Sequence, residues 1–231
     1  SLHDALPIWI RTGTNSYWST YKFKKDKFKT ISEYLHNNGY YTCADVVNKL
    51  VIPKQGLDEF NIHDEIKDDL ILRHKDFLTQ MKLKNENGKK FFLYLQYSNI
   101  HTGIMKDVLK VYNNFSKEYF ENTKLNEQRY DLLFNKAEIY LENIMIKINE
   151  LELDKDSIIL VMSDHGISIG EKIGERAYGA FCYDYTIKTF AYFLFPDIIP
   201  QKISQQIRTI DYMPTILDYL EIKLDSNYEK I

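Results

Sequence analysis

Cysteine is scarce in this sequence. Its 231 residues hold only Cys43 and Cys182, far apart and without metal-ligand spacing, which excludes both a disulfide framework and a thiolate zinc ribbon. Five Pro and nine Gly are too few for collagen or a low-complexity tract, and there is no internal repeat. Long apolar runs are missing as well: stretches such as Ile158 to Met162 are far shorter than the roughly 20 residues that cross a bilayer. Neither sign of charge dominates. With 30 Lys+Arg against 33 Asp+Glu and a formal charge of -3, no global field favours nucleic acid or an anionic membrane surface, so any anion binding must be local. What remains is a globular composition, 44% hydrophobic and 27% charged. A chain of this length buries roughly 70% of the surface that its unfolded form exposes, enough for one substantial core.

Ser1 to Ile8 (SLHDALPI) resembles the translated string of a sequencing adapter rather than part of a fold. The expectation is therefore an artefactual segment over 1–8, with 9–231 as the C-terminal portion of a single domain whose natural start lies upstream. Localisation is left open, because a leader would lie there too.

Hydrophobic patterning predicts an α/β fold. Thr30 followed by Glu33 marks a helix start, and Asn38-Gly39 supplies its left-handed end. Tyr40 to Val47 reads as a strand, Pro53 to Asn61 as a loop and Ile66 to Leu83 as a helix. Phe91 to Tyr97 (FFLYLQY) is an unbroken apolar run of strand length, as expected of a parallel strand covered on both faces. Met105 to Asn126 is irregular. A long helix follows over Glu127 to Leu153, with Leu133, Ala137, Tyr140, Leu141, Ile144 and Ile148 on one stripe. Ser157 to Met162 and Thr189 to Phe195 are two further strands, and Ile210 to Leu220 a closing helix with Pro214 in its first turn.

In open α/β sheets ligands bind at the carboxyl ends of the strands. Two strands here end in polar clusters: His101 follows FFLYLQY, and Asp164-His165-Gly166 follows SIILVM. A carboxylate beside an imidazole suits a divalent cation that takes both hard oxygen and borderline nitrogen. The plainer alternative is a turn in which Asp164 caps the next segment. A triad of Ser163, Asp164 and His165 is discounted, since adjacent residues point in different directions. Downstream, Gly170 and Gly174 frame Lys172, Glu175 and Arg176; the two cations either meet an anion or are solvated loop charges. His36, His63 and His74 read as structural, with His63 and His74 placed among surface charges.

Taken together, FFLYLQYSNIHTG, IILVMSDHGISIGE, TIKTFAYFLFP with RTIDYMPTILDYL, and KTISEYLHNNGYYTCADV with GLDEF resemble the sulfatase family of the alkaline-phosphatase superfamily, from about Thr12 to Leu220. The resemblance implies a three-layer α/β/α fold with a mostly parallel central sheet, lacking its N-terminal strand. It also implies that Asp164 and His165 ligate a divalent metal, calcium first with manganese or zinc as alternatives. His101 would contact the charged ester as a catalytic and substrate-binding residue, with Lys172 and Arg176 near the same group. The implied substrate is a small-molecule or glycan sulfate or phosphate ester, with neither nucleic acid nor a membrane segment involved.

There are departures from the family pattern. YYTCADVVNK lacks the family's Lys-x-His, Gly103 stands where a Pro is usual, and the nucleophile expected just before Thr12-Gly13 would fall within or before the adapter-like segment. The leading expectation is a metal-dependent sulfuric ester hydrolase, with this stretch inactive alone. The alternatives are a phosphodiesterase or phosphoglycerol or phosphoethanolamine transferase, and a non-catalytic scaffold relative.

Overall fold

The computed structural model describes residues 28–113, 116–177 and 181–225. The adapter-like segment and residues 9–27 of the connecting loop expected from Trp9 to Lys29 lie outside the described residues. The chain enters through α1 (Ile31–Asn37), where the Thr30 hydroxyl accepts from the Glu33 backbone N–H at 3.2 Å. The helix ends at Gly39, whose φ of +84° is a conformation that side chains disfavour. This is the start and stop expected from the sequence.

Three parallel strands follow: β1 (Tyr41–Val46), β2 (Glu59–Ile62) and β3 (Phe91–Leu95), in the order β2-β1-β3. β1 is therefore the central strand, and its last five residues are all buried. β2 corrects the sequence reading, which placed a loop over Pro53 to Asn61. Four residues, Glu-Phe-Asn-Ile, carry no period to detect, and it is pairing with β1 that makes them a strand. Between β2 and β3 runs α2 (Leu70–Glu86), opened by Asp69, whose carboxylate accepts from the Ile71 and Leu72 backbone N–H groups. This helix starts four residues later than the periodicity suggests, because the Asp69 cap fixes the first turn.

After β3 come the short helix α3 (Asn99–Gly103), a π-type turn over Ile104–Leu109, α4 (Glu118–Glu121) and the long α5 (Thr123–Glu150). Next is β4 (Ile159–Met162), paired antiparallel with β5 (Ala191–Leu194), with α6 (Asp184–Ile187) between them. Tyr140, Ile144 and Ile148 of α5 join Leu70 and Leu78 of α2 in a cluster that packs on Phe91 and Leu93 of β3 and on Ile159 of β4. One helix face thus covers both sheets. Among the described residues β3 is paired only by β1 and β4 only by β5. This explains why the wholly apolar β3 is partly rather than fully buried, against the expectation of cover on both faces.

The closing helix α7 (Tyr212–Tyr219) seats Leu217, fully buried, between Tyr34 and Leu35 of α1. Replacing Leu217 by Ala removes a buried side chain from a packed site and should cost about 2–5 kcal/mol of unfolding free energy, read by chemical denaturation. A change below 0.5 kcal/mol would mean that α7 is not docked on α1.

Candidate functional site

The carboxyl ends of the three parallel strands are joined by one buried charge. Asp45, near the end of β1, is fully buried, so its carboxylate needs partners. It has four. Arg73 of α2 grips it with two N–H groups, Nε to Oδ2 at 2.9 Å and Nη2 to Oδ1 at 2.8 Å. His63, which follows β2, donates from Nδ1 to Oδ2 at 3.0 Å, and His74 of α2 donates from Nε2 to the same oxygen at 3.0 Å.

The far side of each imidazole is also used: the Ser98 hydroxyl meets His63 Nε2 at 2.9 Å, and the Tyr140 hydroxyl meets His74 Nδ1 at 2.6 Å. Desolvation works against the Asp45 carboxylate, but hydrogen bonds from His74, Arg73 and His63 and the Arg73 charge outweigh it, holding the group well below the usual carboxylate range. Burial lowers the pKa of His74, with Asp45 pulling the other way. Burial likewise pushes the Tyr140 phenol up, so it stays a donor.

His63 and His74 are 2% and 0% exposed, which corrects their placement among surface charges. Their sequence neighbours are charged, but the two imidazoles themselves turn inward onto Asp45. The overlooked signal was Asp45, a carboxylate inside the apolar strand Cys43-Ala44-Asp45-Val46, since such a charge has to recruit buried partners.

Asp45, His63 and His74 form the one group of three close ligand-type side chains among the described residues. This donor set does not fit a resident cation. Both oxygens of the single anion are taken by Arg73, whose positive charge already balances it, and every ring nitrogen has a hydrogen-bond partner. A divalent ion would add two buried charges with no anion to offset them.

Asp164 and His165 present the opposite case. They follow β4 on an open turn, with side chains 80% and 50% exposed, and Asp164 Oδ2 lies 3.7 Å from His165 Nε2. Asp164 Oδ1 accepts from the His165 backbone N–H at 2.9 Å, and His165 Nδ1 meets the Gly166 carbonyl at 2.7 Å. With Nδ1 donating to a backbone carbonyl, the ring is oriented as metal-binding imidazoles commonly are. A separation of 3.7 Å is one that a single ion can bridge with bonds of about 2.0–2.2 Å. The pair therefore fits a cation, as two of its ligands. Gly166 makes the turn feasible, because an added Cβ would run into the Tyr185 carbonyl oxygen.

The loop beyond is held from below. Fully buried Tyr119 donates to the Ser168 carbonyl at 2.9 Å, and Asn126, also fully buried, donates to the Ile169 carbonyl at 2.8 Å. Burial pushes the Tyr119 phenol up to about 12. The Lys172 ammonium lies 3.9 Å from the centre of the Tyr183 ring, and the Arg176 guanidinium 4.9 Å from that of Tyr119. Lys172 is exposed and Arg176 half-buried. His101 is exposed on α3, in a different segment. The two segments share one apolar cluster: Ile100 and Ile104, on either side of His101, pack with Ile167 and Ile169, just after His165. Gly103 sits so close to Leu133 that a side chain there would collide with it.

A sulfatase family model matches residues 10–222. Among solved structures, the chain is similar to the lipoteichoic acid synthase LtaP from Listeria monocytogenes, with TM-score 0.63, 18% identity, and coverage of 85% of this chain and 53% of that one. It is also similar to BT4656, solved in complex with its substrate D-glucosamine-2-N,6-O-disulfate, with TM-score 0.58, 17% identity and coverage of 94% and 65%. A third similar structure is Ps i-CgsB in complex with k-i-k-neocarrahexaose, with TM-score 0.57, 15% identity and coverage of 94% and 57%. No curated protein sequence matches the chain. At these identities the structures show the fold, an alkaline-phosphatase-like α/β architecture, and this chain spans roughly half to two thirds of each of those proteins.

Asp45→Asn, which keeps the shape but strands Arg73 and two buried imidazoles, should cost about 3–5 kcal/mol in denaturant unfolding. Because the folded pKa of His74 is lowered, the unfolded chain takes up that proton first. Stability should therefore fall on acidification below about pH 6.5, and fall again when Asp45 is protonated, under strongly acidic conditions. A flat stability profile from pH 7 to 4 would contradict the network. In an Asp164→Ala variant, chelation with EDTA should leave the melting temperature unchanged, whereas a drop of several degrees there would mean that Asp45, His63 and His74 hold an ion.

Proposed function

Because this chain belongs to the sulfatase family, we propose that it carries part of the site of a cation-dependent enzyme that hydrolyses sulfate esters. The observation that carries this reading is the Asp164–His165 pair, exposed and spaced to share one ion at the end of β4. An ion bound there supplies positive charge that stabilises the oxygens of the ester in the transition state and lowers the pKa of an attacking group. An imidazole in the donor set favours manganese or zinc over calcium, whose ligands are oxygens.

The chain's own residues complete the picture. Asp164 supplies an anionic oxygen, and the Gly166 carbonyl orients His165. His101, on the neighbouring segment, is the group that donates a hydrogen bond to the ester oxygens. Lys172, exposed on the following loop, adds a cation that meets the sulfate or phosphate charge. Arg176, half-buried against Tyr119, holds the loop and lends its charge from behind. A sulfated sugar is the substrate class nearest to that of the BT4656 complex.

Transfer of a phospho-headgroup is the second reading, favoured by the likeness to a lipoteichoic acid synthase. No helix among the described residues is long and apolar enough to cross a membrane.

The test uses the longest open reading frame containing this chain, assayed with 4-nitrophenyl sulfate and bis(4-nitrophenyl) phosphate in Mn2+, Zn2+ or Ca2+. Turnover should require the cation. Asp164→Ala and His101→Ala should each lower kcat/KM by about 10²-fold or more, the scale of removing one transition-state contact. Preference for the sulfate ester supports the first reading and preference for the phosphate diester the second. Turnover untouched by EDTA and by Asp164→Ala would sink both.

A further inference from the structure

We infer that Ser98 is a positioning residue for His101, tied through His63 to Asp45, an inference that deepens the reading of His101 given above. His101 sits on α3, which runs without a break into the π-type turn over Ile104–Leu109 and packs through Ile100 and Ile104. How this segment leaves β3 therefore bears on the attitude of His101. At the C-terminal end, Gly103 lies hard against Leu133 of α5. At the N-terminal end stands Ser98, 2% exposed, whose two oxygens do different work. Its carbonyl accepts the Thr102 backbone N–H at 3.2 Å, closing the first turn of α3. Its hydroxyl does not cap the helix and instead reaches His63 Nε2 at 2.9 Å.

From there the chain of contacts runs inward. His63 Nδ1 donates to Asp45, which Arg73 and His74 hold from the other side. A second tie runs parallel to it: the Gln96 backbone N–H donates to the Asp45 carbonyl at 3.0 Å, and the Gln96 side-chain oxygen accepts from the Val47 backbone N–H at 2.9 Å. The exit of β3 is thus locked to the exit of β1 immediately before the segment that carries His101.

The order Ser98, His63, Asp45 has the connectivity of a nucleophilic relay. Ser98 is nonetheless buried, so no substrate atom reaches its oxygen, and the relay serves to hold a turn in place. Buried hydrogen-bonded partners of this kind keep their geometry well, since a broken bond leaves an unsatisfied polar group.

Hydrogen exchange and kinetics on the full-length protein test this. In Ser98→Ala the amides of 99–103 should exchange about tenfold faster while those of α2 stay as in the parent, a ratio equal to about 1.4 kcal/mol of local opening. kcat toward the better ester should fall about tenfold with KM little changed, as for a misaligned group acting in the transition state. Ser98→Thr, which keeps the hydroxyl, should restore both. Tyr140→Phe, which removes a hydroxyl from the opposite end of the network, should lower the melting temperature and leave 99–103 and kcat alone. Parental protection of 99–103 in Ser98→Ala, or equal loss of protection in α2, would overturn the inference. If Ser98→Ala loosens 99–103 as expected but His101→Ala keeps full turnover, the tether stands and the role given to His101 fails. If His101→Ala abolishes turnover while Ser98→Ala keeps parental kcat, the positioning role fails by itself.

Discussion

A single carboxylate on the central strand organises the end of the parallel sheet where ligand sites form. Asp45 has no contact with solvent, so its charge has to be neutralised from within. The residues that do so come from every neighbouring element: His63 from beyond β2, Arg73 and His74 from α2, and through their far sides Ser98 beyond β3 and Tyr140 of α5. An apolar residue at this position would pack as well but would impose no such register. The cost of burying the charge is offset by the three side chains that touch the carboxylate, Arg73, His63 and His74. Loops after three strands are thereby held in fixed relation to one another.

Charge balance separates the two places where acidic and imidazole groups meet. Around Asp45 one negative charge faces one guanidinium, and each nitrogen is in use. At Asp164 and His165 the same two residue types stand on an exposed turn, with a carboxylate oxygen and a ring nitrogen 3.7 Å apart. Chemically similar side chains therefore stand in opposite settings, one buried and charge-balanced and the other open to solvent. Family membership over residues 10–222 agrees with the α/β architecture.

Much of the fold was legible because its signals are local. Thr30, Glu33 and Gly39 delimit α1 by capping chemistry alone, and the apolar runs at Phe91 and Ile158 exceed anything a loop would carry. β2 was not legible, since Glu59 to Ile62 becomes a strand only by pairing with β1. The burial of His63 and His74 was equally hidden. Asp64, Glu65, Lys75 and Asp76 surround them in sequence and suggest solvent, while the partner that draws them inward lies 18 and 29 residues away. Asp164 and His165 could be singled out from their place after a buried strand, but their 3.7 Å spacing and their contrast with the Asp45 group exist only in three dimensions.

The measurement that bears most directly on this account is paramagnetic broadening of the histidine ring signals by Mn2+, followed by NMR on the full-length protein. If the cation sits at the end of β4, the His165 resonance should broaden first and His101 with it, while His63 and His74 stay sharp. Broadening of His63 and His74 with His101 and His165 unaffected would place the ion at Asp45 and contradict the account.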